Sequence, residues 1–188
     1  YIMAAFTSSA DPGLLILPTH RMVRNIATSS PAALLPALER DFYVSPISAP
    51  EIRVPDASGQ DREPVNIVMY LGAGQKYLLA PRRTEEFPGH SAEWSRLPTV
   101  VLQEKILKPI LGIAPYFLEH GEQISYTRNE QEAIRRVDRG EFQMAFLLPP
   151  SSVQDVTRIA SRGEKMPQKS TYFYPKIPAG LVINDLED

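Results

Sequence analysis

The sequence predicts an α/β or α+β domain built on a mixed sheet, and three stretches carry that prediction. "QISYT", then "RNEQEAIRRVDRG", then "EFQMAFLL" read as strand, capped helix and strand, a βαβ unit near the C-terminus with a right-handed crossover. "VNIVMYL" and "QKYLLAP" flank Gly72-Ala73-Gly74, the pattern of an antiparallel hairpin in the middle of the chain. "SSVQDVTRIASRG" follows the βαβ unit as a second capped helix, with Val153, Val156, Ile159 and Ala160 at helical spacing.

The elements follow in order. Tyr1–Phe6 is apolar and strand-like, and a chain opening inside a strand reads as the C-terminal fragment of a longer one. Asp11-Pro12-Gly13 is a turn, because proline presets φ and glycine tolerates φ > 0. Leu14–Leu17 is uniformly apolar and is expected as a central strand of the same sheet as Phe142–Leu148. Ser29-Ser30-Pro31 offers an N-cap and a proline at the first helical position, ahead of Leu34, Leu35 and Leu38. Phe42–Ile47 is a candidate strand. Residues 48–95 form a variable hairpin and loop region, polar and proline-rich as far as Pro64. Pro98–Leu111 is the longest expected helix. Leu102, Ile106, Leu107 and Ile110 lie on one side, Thr99 is a candidate cap, and Pro109 with Gly112 is the stop. Asn129 and Glu132 resemble a capping box, with Ala133, Ile134 and Val137 inward and Gly140 as the stop. Gly180–Asn184 is the expected last strand. The whole of 1–188 is read as a single domain.

Composition removes several function classes. The chain is 188 residues, 43% hydrophobic and 22% charged, with a formal net charge of -2, a globular balance that does not favour non-specific nucleic-acid binding. It has no cysteine, so disulfides, thiolate metal sites and cysteine nucleophiles are absent. That absence is compatible with a reducing cytosol, and a cytoplasmic location is the expectation. No apolar run is long enough for a membrane helix. The three histidines, His20, His90 and His120, fall in separate segments with no i,i+4 pair, so no metal ligand set is expected. No G-x-S-x-G elbow occurs.

Two polar clusters remain as candidate sites. In "PTHRMVR", His20 follows an apolar run and is a candidate proton carrier, with Arg21 and Arg24 as candidate anion clamps. A turn cap and two solvated arginines fit the same residues. In "RGEKMPQKSTYFYPKIPAG", Lys169, Ser170, Thr171, Tyr172, Tyr174 and Lys176 form a candidate ligand-binding segment, rich in cations and hydroxyls. Lys169-Ser170-Thr171 echoes the end of a phosphate-binding loop, but Gln168 stands where glycine is needed and Pro167 lacks an amide. Tyr172, Phe173 and Tyr174 read equally as a stacking platform or as packing residues with wet hydroxyls.

"DPGLLILPTHRMVR", "LPTVVLQEKILKPILGI", "RNEQEAIRRVDRGEFQMAFLLPP" and "GEKMPQKSTYFYPKIPAGLVIN" together resemble the C-terminal half of the domain-of-unknown-function 1015 family. The resemblance implies a longer protein whose N-terminal half carries a D-G-H-H-R motif like that of ParB-like and sulfiredoxin-like proteins. Some relatives of that fold bind nucleotides and some phosphorylate free serine. The resemblance implies no residue-by-residue activity and no named cofactor. The expected function is the C-terminal half of a nucleotide- or phosphate-binding enzyme, with phosphoryl transfer as the reaction class. A ParB-like nucleic-acid-binding regulator and a non-catalytic structural domain are the alternatives. The expected partners are the N-terminal half of the same protein and a nucleotide or phosphorylated small molecule, with nucleic acid less favoured and no membrane.

Overall fold

The computed structural model describes residues 6–8, 11, 13–27, 30–48, 65–114 and 122–176. Among these residues eight strands are formed: β1 (Leu15–Leu17), β2 (His20–Val23), β3 (Phe42–Ile47), β4 (Ile67–Tyr70), β5 (Lys76–Pro81), β6 (Ile124–Thr127), β7 (Met144–Leu147) and β8 (Tyr172–Tyr174). Among the described residues five α-helices accompany them: α1 (Pro31–Leu38), α2 (Ala92–Ser95), α3 (Pro98–Leu102), α4 (Glu130–Asp138) and α5 (Val153–Ser161). Six strands make one sheet in the order β3-β5-β4-β7-β2-β6, and β1 and β8 make a separate two-stranded ribbon.

The chain is α/β, with the hairpin β4–β5 in the middle and the strand–helix–strand unit β6–α4–β7 near the C-terminus. One detail differs from a simple βαβ unit. β6 and β7 both run antiparallel to β2, which lies between them, so they are parallel to each other without touching. Every neighbouring pair among the described strands is therefore antiparallel.

Both faces of the sheet are covered, which explains why β4, β7 and β2 are buried at every position. On one face Leu34 and Leu38 of α1, and Leu102, Ile106 and Leu107 of the α3 segment, pack on Val23, Met69, Met144 and Phe146. On the other, Ala133 and Val137 of α4, with Ile134 beside them, pack on Met22, Val68, Tyr70, Ala145 and Leu147. Alternation along β2 sends Met22 to one cluster and Val23 to the other.

Four local expectations need correction. The apolar run 14–17 is not a central strand: Leu15 is about half exposed and the run pairs with β8 in the ribbon. Its place beside β7 is taken by "HRMV", despite its histidine and arginine. The helix expected over 98–111 widens after Leu102 into a π-turn over Gln103–Leu107, where Lys108 N–H reaches the Gln103 carbonyl at 3.1 Å. Pro109 supplies the reason, since it cannot donate to the Lys105 carbonyl and its ring crowds that group. Thr99 is buried with its hydroxyl unpaired and caps nothing; Leu97 holds the N-cap position. Finally, Glu132 does not return to the Asn129 amide. Thr127 intervenes, donating its hydroxyl to the Glu132 carboxylate and accepting from Asn129 N–H at 3.2 Å. A complete capping box forms instead at Ser152 and Asp155. Tyr1–Ala5 and Gly180–Asn184, both expected as strands, lie outside the described residues.

Candidate functional site

The end of β6 passes directly into the first turn of α4. Asn129 caps that helix, its side-chain oxygen accepting from Glu132 N–H at 3.0 Å. Among the described residues β6 is the edge strand of the large sheet, so no described strand of that sheet covers its outer side. Across from it, the turn Pro167–Ser170 delivers the chain into β8. Ser170 anchors this turn. It is buried, its hydroxyl donates to the Pro167 carbonyl at 2.6 Å, and its own carbonyl accepts from the Ser151 hydroxyl at 3.1 Å. Lys169 is held at φ 56°, the left-handed region that residues with a Cβ avoid at a cost of roughly 1–2 kcal/mol.

Between these walls lies a groove of about 800 Å³. Thr19, Tyr126, Arg128, Lys169, Thr171 and Tyr172 line one part and the first turn of α4 lines the rest. Its two tyrosines organise four cations. The Arg128 guanidinium lies 4.0 Å and the Lys176 ammonium 4.5 Å from the Tyr172 ring centre. Arg21 lies 5.8 Å and Lys169 6.0 Å from that of Tyr126. Cation–π attraction is worth roughly 0.5–1 kcal/mol at exposed sites, enough to orient these groups but not to neutralise them.

Their charge balance is uneven. Among the described residues, Arg21, Arg128, Lys169 and Lys176 take part in none of the salt bridges. The acids on the opposite wall each have a cation: Glu130 faces Lys76 at 3.9 Å, although its Oε1 is buried without a hydrogen bond, and Glu132 faces Arg136 at 3.9 Å and takes the Thr127 hydroxyl. Arg21 is the extreme case. It is 3% exposed and its Nη1 has no hydrogen-bond partner. Burial lowers its pKa, and the Tyr126 hydroxyl opposes that shift. A buried guanidinium with an unfilled donor is a costly arrangement in a protein interior.

The sequence candidates thus fall in different places. Lys169, Thr171 and Tyr172 line the groove, Lys176 lies against Tyr172, and Arg21 sits behind Tyr126, its cross-strand partner. His20 is next to the groove residue Thr19 but is itself buried, and its Nδ1 accepts from Leu148 N–H at 3.1 Å. Burial pushes its imidazole down to about 4, so it is neutral at pH 7 with the proton on Nε2. Ser170 supports the turn, and Tyr174, half exposed, pairs with Leu15 in the ribbon. Arg24 follows the far end of β2, where its Nε donates to the Glu122 carbonyl at 3.2 Å and its guanidinium lies 5.6 Å from the Phe142 ring. Sequence reasoning missed Thr19, Tyr126 and Arg128. The available signal was their place at strand termini, Tyr126 and Arg128 where β6 hands over to a helix, the position at which α/β sheets gather ligand groups. Among the described residues no group of three His, Asp or Glu is placed to hold a metal ion, and no helix is long and apolar enough to cross a membrane.

Comparison with solved structures finds a conserved hypothetical protein from Pyrococcus furiosus, 13% identical, with a TM-score of 0.46 over 89% of this chain and 60% of that one. It also finds a free serine kinase in complex with AMP, 12% identical, with a TM-score of 0.45 over 87% of this chain and 55% of that one. A mutant of a free serine kinase in complex with ADP is 13% identical, with a TM-score of 0.44 over the same shares. The chain thus spans 55–60% of the length of the solved chains it matches. No curated protein matches it. The model of a family described as protein of unknown function (DUF1015) matches residues 1–102, more than half of the chain, and the chain belongs to that family.

Proposed function

We propose that the groove beside β6 binds the phosphate groups of a nucleotide or phosphorylated small molecule, and that the chain is the anion-binding part of an enzyme using it. The observation that supports this is the unequal commitment of charge around the groove. Among the described residues four cations lack a carboxylate partner, one of them buried, while Glu130 and Glu132 on the facing wall each have a cation at 3.9 Å. An anionic ligand supplies the missing partner.

In this reading Lys169 and Arg128 meet phosphate oxygens as charge-assisted donors, and Lys176 adds charge from behind Tyr172. Thr19 and Thr171 offer hydroxyls at the same wall. Arg21 acts through Tyr126. His20, neutral, buried and with Nδ1 engaged, holds the strand end beside Thr19 and is not placed to act as a base. Phosphoryl transfer is the reaction that such clustered positive charge serves, because the transition state spreads negative charge over the transferred group. An N-terminal region of the kind the family resemblance implies would complete the site. Two of these cations line one groove and the other two lie against its tyrosines, and on a chain with a net charge of -2 that local grouping weighs against a nucleic-acid-binding face.

Isothermal titration with ATP, ADP, GTP and CTP tests the proposal. Binding is expected, and Lys169→Ala and Arg128→Ala are each expected to weaken it about tenfold or more, the scale of one charge-assisted hydrogen bond. Failure of all four nucleotides to bind, or affinities unchanged in both variants, overturns it.

A further inference from the structure

We infer that the groove recognises a diphosphate group and is indifferent to any base attached to it, so that its ligand class is inorganic pyrophosphate and nucleoside diphosphates alike. This rests on the reading that the groove binds phosphate, and it concerns what the site does not read.

Bases are distinguished by directional donors and acceptors placed against their edges, and by flat side chains that stack on their faces. At this groove the Thr19 and Thr171 hydroxyls stand on the wall that carries the cations, and the directional groups of the facing wall are largely turned inward. The Asn129 side-chain oxygen is held by Glu132 N–H, and Thr127 bridges the Asn129 amide and the Glu132 carboxylate. Glu130 and Glu132 face Lys76 and Arg136. Redirecting any of them to a base would unmake part of the α4 cap or an ion pair. Gln131, exposed at the rim, and the Asn129 side-chain N–H groups are the remaining amide groups.

The flat groups are occupied too. Tyr172 carries Arg128 at 4.0 Å and Lys176 at 4.5 Å, and Tyr126 carries Arg21 and Lys169 at 5.8 and 6.0 Å. A base settling on either ring competes with cations already drawn to it. An anion does not, because it approaches the cations themselves and leaves their contacts with the rings in place.

The number of cations points to more than one phosphate. Like charges collected on two rings of one groove repel one another, and a carboxylate or a single phosphate relieves only part of that repulsion. Two linked phosphates place charge at both the Tyr126 and Tyr172 cation pairs. The groove volume of about 800 Å³ leaves room for the rest of a nucleotide without requiring contact with it.

Titration of the chain with inorganic pyrophosphate, orthophosphate, ADP, GDP, CDP and adenosine decides the matter. Pyrophosphate and the three nucleoside diphosphates are expected to bind within about fivefold of one another. Orthophosphate is expected to be at least about tenfold weaker, a loss of one charge-assisted contact, and adenosine to show no binding. Lys176→Ala is expected to weaken pyrophosphate and ADP by the same factor, and Gln131→Ala to weaken neither. Measurable adenosine binding, or a spread among ADP, GDP and CDP beyond fivefold, overturns base indifference and leaves the phosphate-binding groove standing. Orthophosphate binding as tightly as pyrophosphate overturns the diphosphate assignment alone. Absence of binding by every phosphate overturns both readings together.

Discussion

At the C-terminal end of α4, Asp138 accepts from the Tyr70 hydroxyl at 2.5 Å and from the Ala73 amide at 3.2 Å, and Gly74 N–H donates to the same hydroxyl at 3.2 Å. A carboxylate at a helix C-terminus is unfavourable against the helix dipole, and these donors offset it. Burial, and then the bond to Asp138, holds the Tyr70 phenol above its ordinary value. At the N-terminal end of the same helix Glu130 and Glu132 each have a cation at 3.9 Å, but among the described residues the cations facing them across the groove have no carboxylate. One end resolves its polar groups within the chain and fixes the β4–β5 turn to the helix. The other leaves positive charge unresolved. Where every polar group closes on the protein itself the arrangement serves stability, and where it stays open a ligand is the economical explanation.

Three measurements test that division, beginning with the largest effect. His20 belongs to the groove end of β2 yet is resolved internally, and its ionisation reports how firmly. Its folded pKa, about 4, lies below the unfolded value of 6.5, so the unfolded chain binds the proton first. Its stabilising contribution is complete above pH 6.5 and is lost as the pH falls toward 4, at about 1.4 kcal/mol per unit. Urea unfolding across that range should show a loss of about 2–3 kcal/mol that is missing in His20→Asn, which keeps an acceptor but cannot ionise. Parallel curves for the two proteins would mean that the imidazole ionises freely and belongs to the open side of the comparison. Tyr70→Phe comes next. It should cost about 1–2 kcal/mol of stability, the scale of one hydrogen bond to a charged group, and leave nucleotide affinity unchanged. A change in affinity would show that the two ends are coupled through α4. The smallest effect is that of Lys169→Gly. Relief of the left-handed backbone should raise stability by roughly 1 kcal/mol, while affinity falls as far as in Lys169→Ala. Stabilisation with full affinity would remove Lys169 from the ligand's contacts.

Much of this was legible in the sequence, for local reasons. Gly72-Ala73-Gly74 marks the hairpin because the turn places φ at 88°, 49° and 78°, which glycine at two of the three positions makes accessible. Asn129 and Ser152 mark helix starts because a short side chain serves the amide three residues on, and both do so. What stayed hidden depends on distant chain. "LLIL" has a strand's composition, but which sheet it joins is set by Pro18 after it and by β8 far along the sequence. "HRMV" looks like a strand's exit because two polar residues lead it. It is buried because Leu148 N–H meets His20 and Tyr126 stands opposite Arg21. At the site, the segment 169–176 was readable from its unusual chemistry, whereas Arg128 and Tyr126 resemble ordinary strand-end residues until the groove brings them to Lys169 and Tyr172. Local patterns register helix caps and turns, and pairings between remote segments leave no periodic trace.

The seating of β2 between β6 and β7 has a consequence for how the protein acquires its shape. β6, α4 and β7 come from one continuous stretch, but neither strand touches the other, and the slot between them is filled by a segment translated far earlier. Helix α4 can form from nearby residues, while closure of the sheet must wait for a long-range encounter that brings Met22 between Ser125 and Ala145. Such topologies fold slowly, since chain entropy is lost before the contacts that reward it are made. Until that encounter, β2 and β7 present bare, largely apolar edges of the kind that adhere to other chains. The most aggregation-prone interval of this protein therefore precedes the arrival of one four-residue strand.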